Sequence, residues 1–146
     1  CDTKILFFGN NSEHQIVEKA IKNMENNSNC INLAGEIDIS SLPVILKSCK
    51  LMISMESGNT HLAHFLNLPV ICLASGEYYG SALPYPDNSV DYVFPDKFNQ
   101  FLEVSDYKDM VELFYFANKN QTVKDIKPSQ VVEKIKEKLC TLNKIY

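Results

Sequence analysis

The stretch Leu51-Met52-Ile53-Ser54-Met55-Glu56-Ser57-Gly58-Asn59-Thr60-His61-Leu62-Ala63 decides the fold. Residues 51–53 form a short apolar run of strand length, and Glu56-Ser57-Gly58-Asn59 is a polar turn around one glycine. A helix is expected from Asn59 to Leu66. A strand that runs through a glycine turn into a helix is the building unit of a parallel sheet, because parallel strands need a helical crossover.

The same alternation continues on both sides. Upstream, residues 4–8 (KILFF) read as a buried strand that ends in Gly9-Asn10-Asn11. Ser12 is the expected cap of a first helix with Glu13 in its first turn, and Ile16, Val17, Ala20, Ile21 and Met24 recur at helical spacing. Residues 30–33 form a second strand, closed by Ala34-Gly35. Ser40 or Ser41 caps a second helix whose Pro43 falls in the first turn, with Leu42, Ile45, Leu46 and Cys49 on one face. Downstream come a fourth strand (69–73), a long loop with two glycines and two prolines (74–89) and a fifth strand (91–94). Two helices follow, over 107–118 and from Pro128 onward, the latter with Val131, Val132, Ile135 and Leu139 on one stripe. The order β-α-β-α-β-α-β-loop-β-α-α predicts an α/β fold, a Rossmann-like parallel sheet with helices on both faces. Such sheets bind ligands outside the carboxyl ends of their strands. Here those ends are the loops 9–12, 34–39, 54–59 and 74–81.

Composition bounds the function. The chain has 146 residues and 16.6 kDa, one domain's worth, with 45% hydrophobic and 22% charged residues. A net charge of −4, from 14 basic and 18 acidic residues, excludes a nucleic-acid binder or membrane-surface protein that works through bulk positive charge. No apolar run is long enough to span a bilayer. Cys1, Cys30, Cys49, Cys72 and Cys140 show no CxxC spacing and read as free thiols of a reducing compartment. No metal-ligand pattern and no cofactor signature is present. The sequons at Asn10, Asn26 and Asn120 carry no weight in an Asn-rich chain without a secretion signal. Residue 1 is Cys and a strand follows almost at once, which reads as a piece of a longer protein.

The turn at 56–61 carries the chemistry. The first amides of a helix have no intrahelical partner, and with the positive end of the helix dipole they form an anion site for a phosphate or pyrophosphate. Ser57 adds a hydroxyl, Gly58 lets a phosphate approach the backbone, and His61 offers a ring nitrogen. Plain turn-and-cap chemistry explains Ser57 and Gly58 equally well, and His61 is as readily a packing histidine. Glu56 repels a phosphate directly beside it. It is either an acceptor for a ribose or sugar hydroxyl or a solvated carboxylate. His64 reads as structural or exposed, and His14 as a surface helix residue.

The segments Asn32-Leu33-Ala34-Gly35, Ser41-Leu42-Pro43, Lys50-Leu51-Met52-Ile53-Ser54, Glu56-Ser57-Gly58-Asn59-Thr60-His61-Leu62-Ala63 and Leu68-Pro69-Val70 together resemble glycosyltransferase family 9, the ADP-heptose:lipopolysaccharide heptosyltransferase group. Gly9 with Glu13 resembles the family's G-G-x-x-E opening, and Pro128 with Val131 and Val132 its closing helix. The resemblance implies the C-terminal half of a GT-B glycosyltransferase, with residues 1–146 a single nucleotide-sugar-binding domain and the N-terminal acceptor domain absent from the chain. By the match, Ser57, Gly58, Asn59, Thr60 and His61 cradle the diphosphate of an ADP-heptose-like nucleotide-diphospho-sugar, and Glu56 stands where the family has Asp near the donor sugar. Base and ribose contacts are expected at Gly9, Asn10, Gly35, Glu36, Gly76 and Glu77. Further departures are Tyr78 where a subgroup has His and Ser81 where it has Arg.

The resemblance further implies lipopolysaccharide or surface-glycan synthesis, a cytoplasmic location peripheral to the inner membrane, and the protein's own N-terminal domain as partner. Catalytic residues are expected in that domain, so this piece is expected to bind donor without catalysing transfer. It is also expected to expose apolar surface on the Pro128 helix or at 113–116. Two alternatives stand beside this reading: a non-catalytic Rossmann-like interaction module with a decayed donor site, and a related GT-B sugar-nucleotide enzyme.

Overall fold

A computed structural model describes residues 3–76, 85, 89–102 and 122–142. The chain divides into two compact units, Cys1–Ile45 and Leu46–Tyr146.

The first unit is a parallel β-α-β motif. Strand β1 (Ile5–Phe7) pairs with β2 (Cys30–Asn32) in the register Ile5↔Cys30, Leu6↔Ile31, Phe7↔Asn32. Helix α1 (His14–Lys22) makes the crossover. The ladder extends past both strand ends, where Leu33 N–H donates to Phe7 C=O (2.8 Å) and Gly35 N–H to Gly9 C=O (3.0 Å). The helix is entered differently from the sequence expectation. Asn10, not Ser12, is the cap: its side chain accepts from Ser12 N–H (2.9 Å) while Glu13 reaches back to Asn10 N–H (2.7 Å). This reciprocal capping box satisfies two amides that a helix start leaves open, over the single 3-10 turn Asn11–Glu13. The buried stripe of α1 is also narrower than its spacing predicts, because Val17 and Ile21 are half-buried while Ile16 is 69% exposed. His14 is a tie rather than a surface residue, its Nδ1 lying 2.8 Å from Ala34 C=O. Helix α2 (Leu42–Ser48) follows, with Leu46 buried and Leu42, Ile45 and Cys49 half-buried, as its spacing requires.

The second unit is a three-stranded parallel sheet in the order β3 (Met52–Met55), β4 (Val70–Leu73), β5 (Val90–Val93). The central strand is the most apolar, and Val70, Ile71 and Cys72 are fully buried. Alternation along β4 sends successive side chains to opposite faces. On one face Ile71 packs with Val93, Ile126, Val131 and Ile135, so α5 (Pro128–Leu142) covers that side. On the other, Cys72 meets Thr60 of α3 (Gly58–Phe65). Helices therefore cover both faces. Lys138 of α5 ties back to β5 through Asp91 (2.5 Å).

Helix α3 ends where Asn67 takes the left-handed conformation (φ 56°) and Leu68 N–H returns to Ala63 C=O (3.0 Å). A helix not foreseen from the sequence, α4 (Asp96–Leu102), follows β5 and seats Phe98 in the core against Phe94, ring centroids 4.6 Å apart. The expected helix over 107–118 and the aromatic stretch 113–116 lie outside the described residues. On α5, Val132 and Leu139 remain 48% and 39% exposed, in line with the expected apolar surface there. No helix among the described residues is long and apolar enough to cross a membrane.

Candidate functional site

The site is built at the carboxyl ends of β3 and β4. Ser57 caps α3 in an extended conformation, but its hydroxyl makes no capping hydrogen bond. Thr60 N–H closes the turn onto Ser57 C=O (3.0 Å), whereas the amides of Gly58 and Asn59 have no backbone acceptor among the described residues. Gly58 needs neither of the usual structural reasons for glycine. Its φ is not in the left-handed range, and a Cβ built on it meets no atom of the described residues within 4 Å beyond its chain neighbours and its own helix backbone. The helix start is therefore an open surface with two unpaired donors, beside the Ser57 hydroxyl.

The turn is held from inside. Thr60 is 1% exposed, and its hydroxyl donates to Met55 C=O (2.6 Å) while lying 2.5 Å from Ser54 Oγ. Ser54 Oγ is in turn 3.5 Å from Ser57 Oγ. The Ser54 hydroxyl also donates to Met55 C=O (2.9 Å), so both hydroxyls converge on that carbonyl. This small network fixes the end of β3 to the first turn of α3.

Glu56 joins the two loops. Its Oε2 accepts from Ser75 N–H (2.9 Å) and from the Ser75 hydroxyl (2.8 Å). Its Oε1 is buried and has no hydrogen-bond partner among the described residues. Two neutral acids share this environment. Burial pushes the Cys72 thiol up to about 12, the Glu56 charge adding to the shift and a Thr60 hydrogen bond opposing it. Burial likewise pushes the Tyr92 phenol up to about 12, against the lowering effect of its hydrogen bond from the Tyr85 backbone. Both are protonated at neutral pH, and Cys72 has no nucleophilic character there.

His61 is exposed in the first turn of α3, with Nδ1 hydrogen-bonded to the Tyr85 hydroxyl. Tyr85 also stacks on His64, with centroids 3.7 Å apart and planes at 26°. His64 is half-buried, its Nδ1 2.6 Å from Ser89 Oγ. Gly76 has φ +93° and is buried against Phe98, where a Cβ would stand 2.2 Å from the ring. Glu77, Tyr78 and Ser81 lie outside the described residues.

In the first unit, Gly9, Asn10, Gly35 and Glu36 gather at the ends of β1 and β2. Gly35 has φ +79°, and a Cβ there would press on Asn11 Cα at 2.8 Å. Glu36 is exposed, its N–H donating to Leu33 C=O (3.1 Å). The structure thus brings Glu56 through His61 together with Gly76 in one unit, and Gly9, Asn10, Gly35 and Glu36 together in the other. Sequence reasoning missed Ser75 and Tyr85, whose contacts with Glu56 and His61 span 19 and 24 residues.

Comparison with known proteins agrees with this architecture. A family model described as glycosyltransferase family 9 (heptosyltransferase) matches residues 2–89. The chain is similar to lipopolysaccharide heptosyltransferase 2 of Escherichia coli (strain K12), 30% identical over 83 residues, 56% of this chain and 22% of that protein. It is also similar to lipooligosaccharide heptosyltransferase 2 of Haemophilus ducreyi, 32% identical over 82 residues, 55% of this chain and 23% of that protein. The matched region is thus less than a quarter of these relatives' length. Among solved structures, a glycosyl transferase family 9 protein from Veillonella parvula superposes with a TM-score of 0.65 at 19% identity, over 94% of this chain and 37% of that one. The ADP-heptose LPS heptosyltransferase II of E. coli gives 0.51 at 17% identity, over 78% and 36%. These likenesses show the fold, the Rossmann-like parallel α/β arrangement of GT-B enzymes. With the family model covering more than half of its residues, the chain belongs to glycosyltransferase family 9.

Proposed function

We propose that residues 1–146 are the donor-binding domain of a heptosyltransferase-like glycosyltransferase, holding a nucleotide-diphospho-sugar of the ADP-heptose kind for lipopolysaccharide or surface-glycan synthesis at the cytoplasmic side of a membrane. The observation that carries the reading is the start of α3. Gly58 is glycine without a packing or conformational reason, and its missing side chain leaves two amide donors open. A diphosphate fits this surface, since backbone N–H groups and the helix dipole meet negative charge without a bulk basic patch. Ser57 and His61 add side-chain donors. Glu56 keeps one carboxylate oxygen on Ser75 and offers Oε1 to a sugar or ribose hydroxyl.

In transfer, these groups stabilise the charge that develops on the leaving diphosphate. Deprotonation of the acceptor hydroxyl needs a general base, and no residue of this chain is assigned that role. It belongs to the acceptor-binding domain of the whole enzyme, so the chain alone binds donor and does not turn it over. An observation that favours the non-catalytic module is the engagement of Glu56 by Ser75, which gives that carboxylate a structural task. Calorimetric titration with ADP, UDP and GDP and their sugars decides between the two. Saturable binding of one nucleotide diphosphate supports the donor domain, and no heat at millimolar ligand overturns it.

A further inference from the structure

The donor-site reading gives His61 a task but leaves open what aims it. His61 is exposed, and an unrestrained imidazole on a helix surface rotates and exchanges its proton between two nitrogens. Tyr85 supplies the restraint and is itself held at several points. Its backbone N–H donates to Tyr92 Oη (3.4 Å), its ring face stacks on His64, its edge meets His61 at 5.8 Å and 74°, and its hydroxyl meets His61 Nδ1. His64 is anchored in turn by Ser89. Among the described residues, Nε2 of His61 has no protein partner.

The direction of the Tyr85–His61 hydrogen bond decides what Nε2 can do. If Nδ1 carried the proton, a neutral ring would present a lone pair at Nε2, which repels an anion. If the tyrosine hydroxyl donates to Nδ1, the neutral ring carries its proton on Nε2 and becomes a donor. We propose that Tyr85 is a positioning residue of the donor site: by donating its hydroxyl to His61 Nδ1 it fixes the ring and leaves Nε2–H as a donor to the diphosphate at the start of α3. The inference rests on the donor-site reading. It adds a residue 24 positions away that carries no phosphate contact of its own. The arrangement parallels the carbonyl or carboxylate that orients a metal-binding histidine through its other nitrogen.

Two measurements on the 146-residue chain test it. First, in long-range 1H–15N spectra without ligand, the His61 Nδ1 resonance moves in Tyr85→Phe, because the variant keeps the ring stacking and loses only the hydroxyl. An unmoved resonance overturns the proposal whatever binds. Second, ADP and adenosine are titrated into a double-mutant cycle of Tyr85→Phe and His61→Ala. Tyr85→Phe weakens ADP about three- to tenfold, the range for one lost hydrogen bond. It leaves adenosine unchanged and has no further effect once His61 is Ala. Equal losses for ADP and adenosine, or the same loss in the His61→Ala background, show that Tyr85 acts on the loop as a whole and overturn its role through His61. A wild-type chain that binds no ADP removes the donor-site reading and this inference with it, whereas a failed cycle on a chain that binds ADP removes only the latter.

Discussion

Gly58→Ala separates the site from the fold. Alanine adds one methyl at a backbone position outside the left-handed region, and beyond its chain neighbours and its own helix backbone no atom of the described residues lies within 4 Å of that methyl. Folding therefore loses nothing, and the unfolded chain loses freedom. Glycine-to-alanine changes at compatible positions stabilise by about 0.4–1 kcal/mol. For a chain of this length about 3–5 °C accompanies each kcal/mol, so the midpoint of thermal unfolding rises by about 1–5 °C. Binding moves the other way. The methyl stands over the amides that face the anion, and loss of one hydrogen bond to a charged group costs about 1.5–3 kcal/mol, roughly 10- to 150-fold in affinity. Thermal unfolding by circular dichroism and calorimetric titration with ADP read the two effects separately. Unchanged ADP affinity in a well-folded Gly58→Ala protein refutes the placement of the diphosphate at α3. A fall in midpoint refutes the claim that Gly58 has no structural task.

Other substitutions report on the fold alone. Gly76→Ala meets both a left-handed backbone and the Phe98 ring, and it destabilises by about 2–6 kcal/mol, measured by urea denaturation. Thr60→Val keeps the shape and removes the hydroxyl that links Met55 C=O to Ser54. It costs about 1–3 kcal/mol and lowers the thermal midpoint accordingly. Cys72 and Tyr92 are weaker acids in the folded chain, their pKa raised to about 12 from 9.0 and 10.0, so they favour the folded chain fully below pH 9. That contribution is lost as pH climbs from 9 to 12, and urea midpoints fall across this window, less steeply in Cys72→Ala. Iodoacetamide at pH 8 leaves Cys72 unlabelled until the chain is unfolded.

Local signals were legible in the sequence and long-range ones were not. Apolar runs locate the five strands of the described residues, and Pro128 marks the first residue of α5 because its fixed φ and missing N–H suit that position. Ser12 is the expected cap of the first helix, whereas the capping box pairs Asn10 with Glu13, three residues apart, around the 3-10 turn that leads into α1. Helix α4 is absent from the sequence expectation although Pro95 and Asp96 are a start signal directly after β5. His14 looked like a surface residue because its partner, Ala34 C=O, lies 20 residues away on the next strand end. The pairs Glu56–Ser75 and His61–Tyr85 are invisible to periodicity for the same reason. They exist because parallel topology brings the ends of successive strands side by side.

The turn motif divides its residues between fold and ligand by geometry. Ser54 and Thr60 face inward and knit the strand end to the first helical turn, and Glu56 reaches sideways to the neighbouring loop. The residues between and after them, Ser57, Gly58, Asn59 and His61, stay exposed. An inward residue at the third helical position and an outward one at the fourth follow from 3.6 residues per turn, since adjacent positions point about 100° apart. The spacing of the motif thus reflects two demands met by one short segment, a rigid base and an open donor surface. A substitution such as Asp to Glu at position 56 lengthens the sideways reach without disturbing either of the other two directions. The change at Glu56 therefore bears on how the neighbouring loop is held and on the contact with the sugar. The anion-binding start of α3 depends on Gly58 and Asn59, and that dependence is the reason Gly58→Ala, not a change at Glu56, is the decisive test.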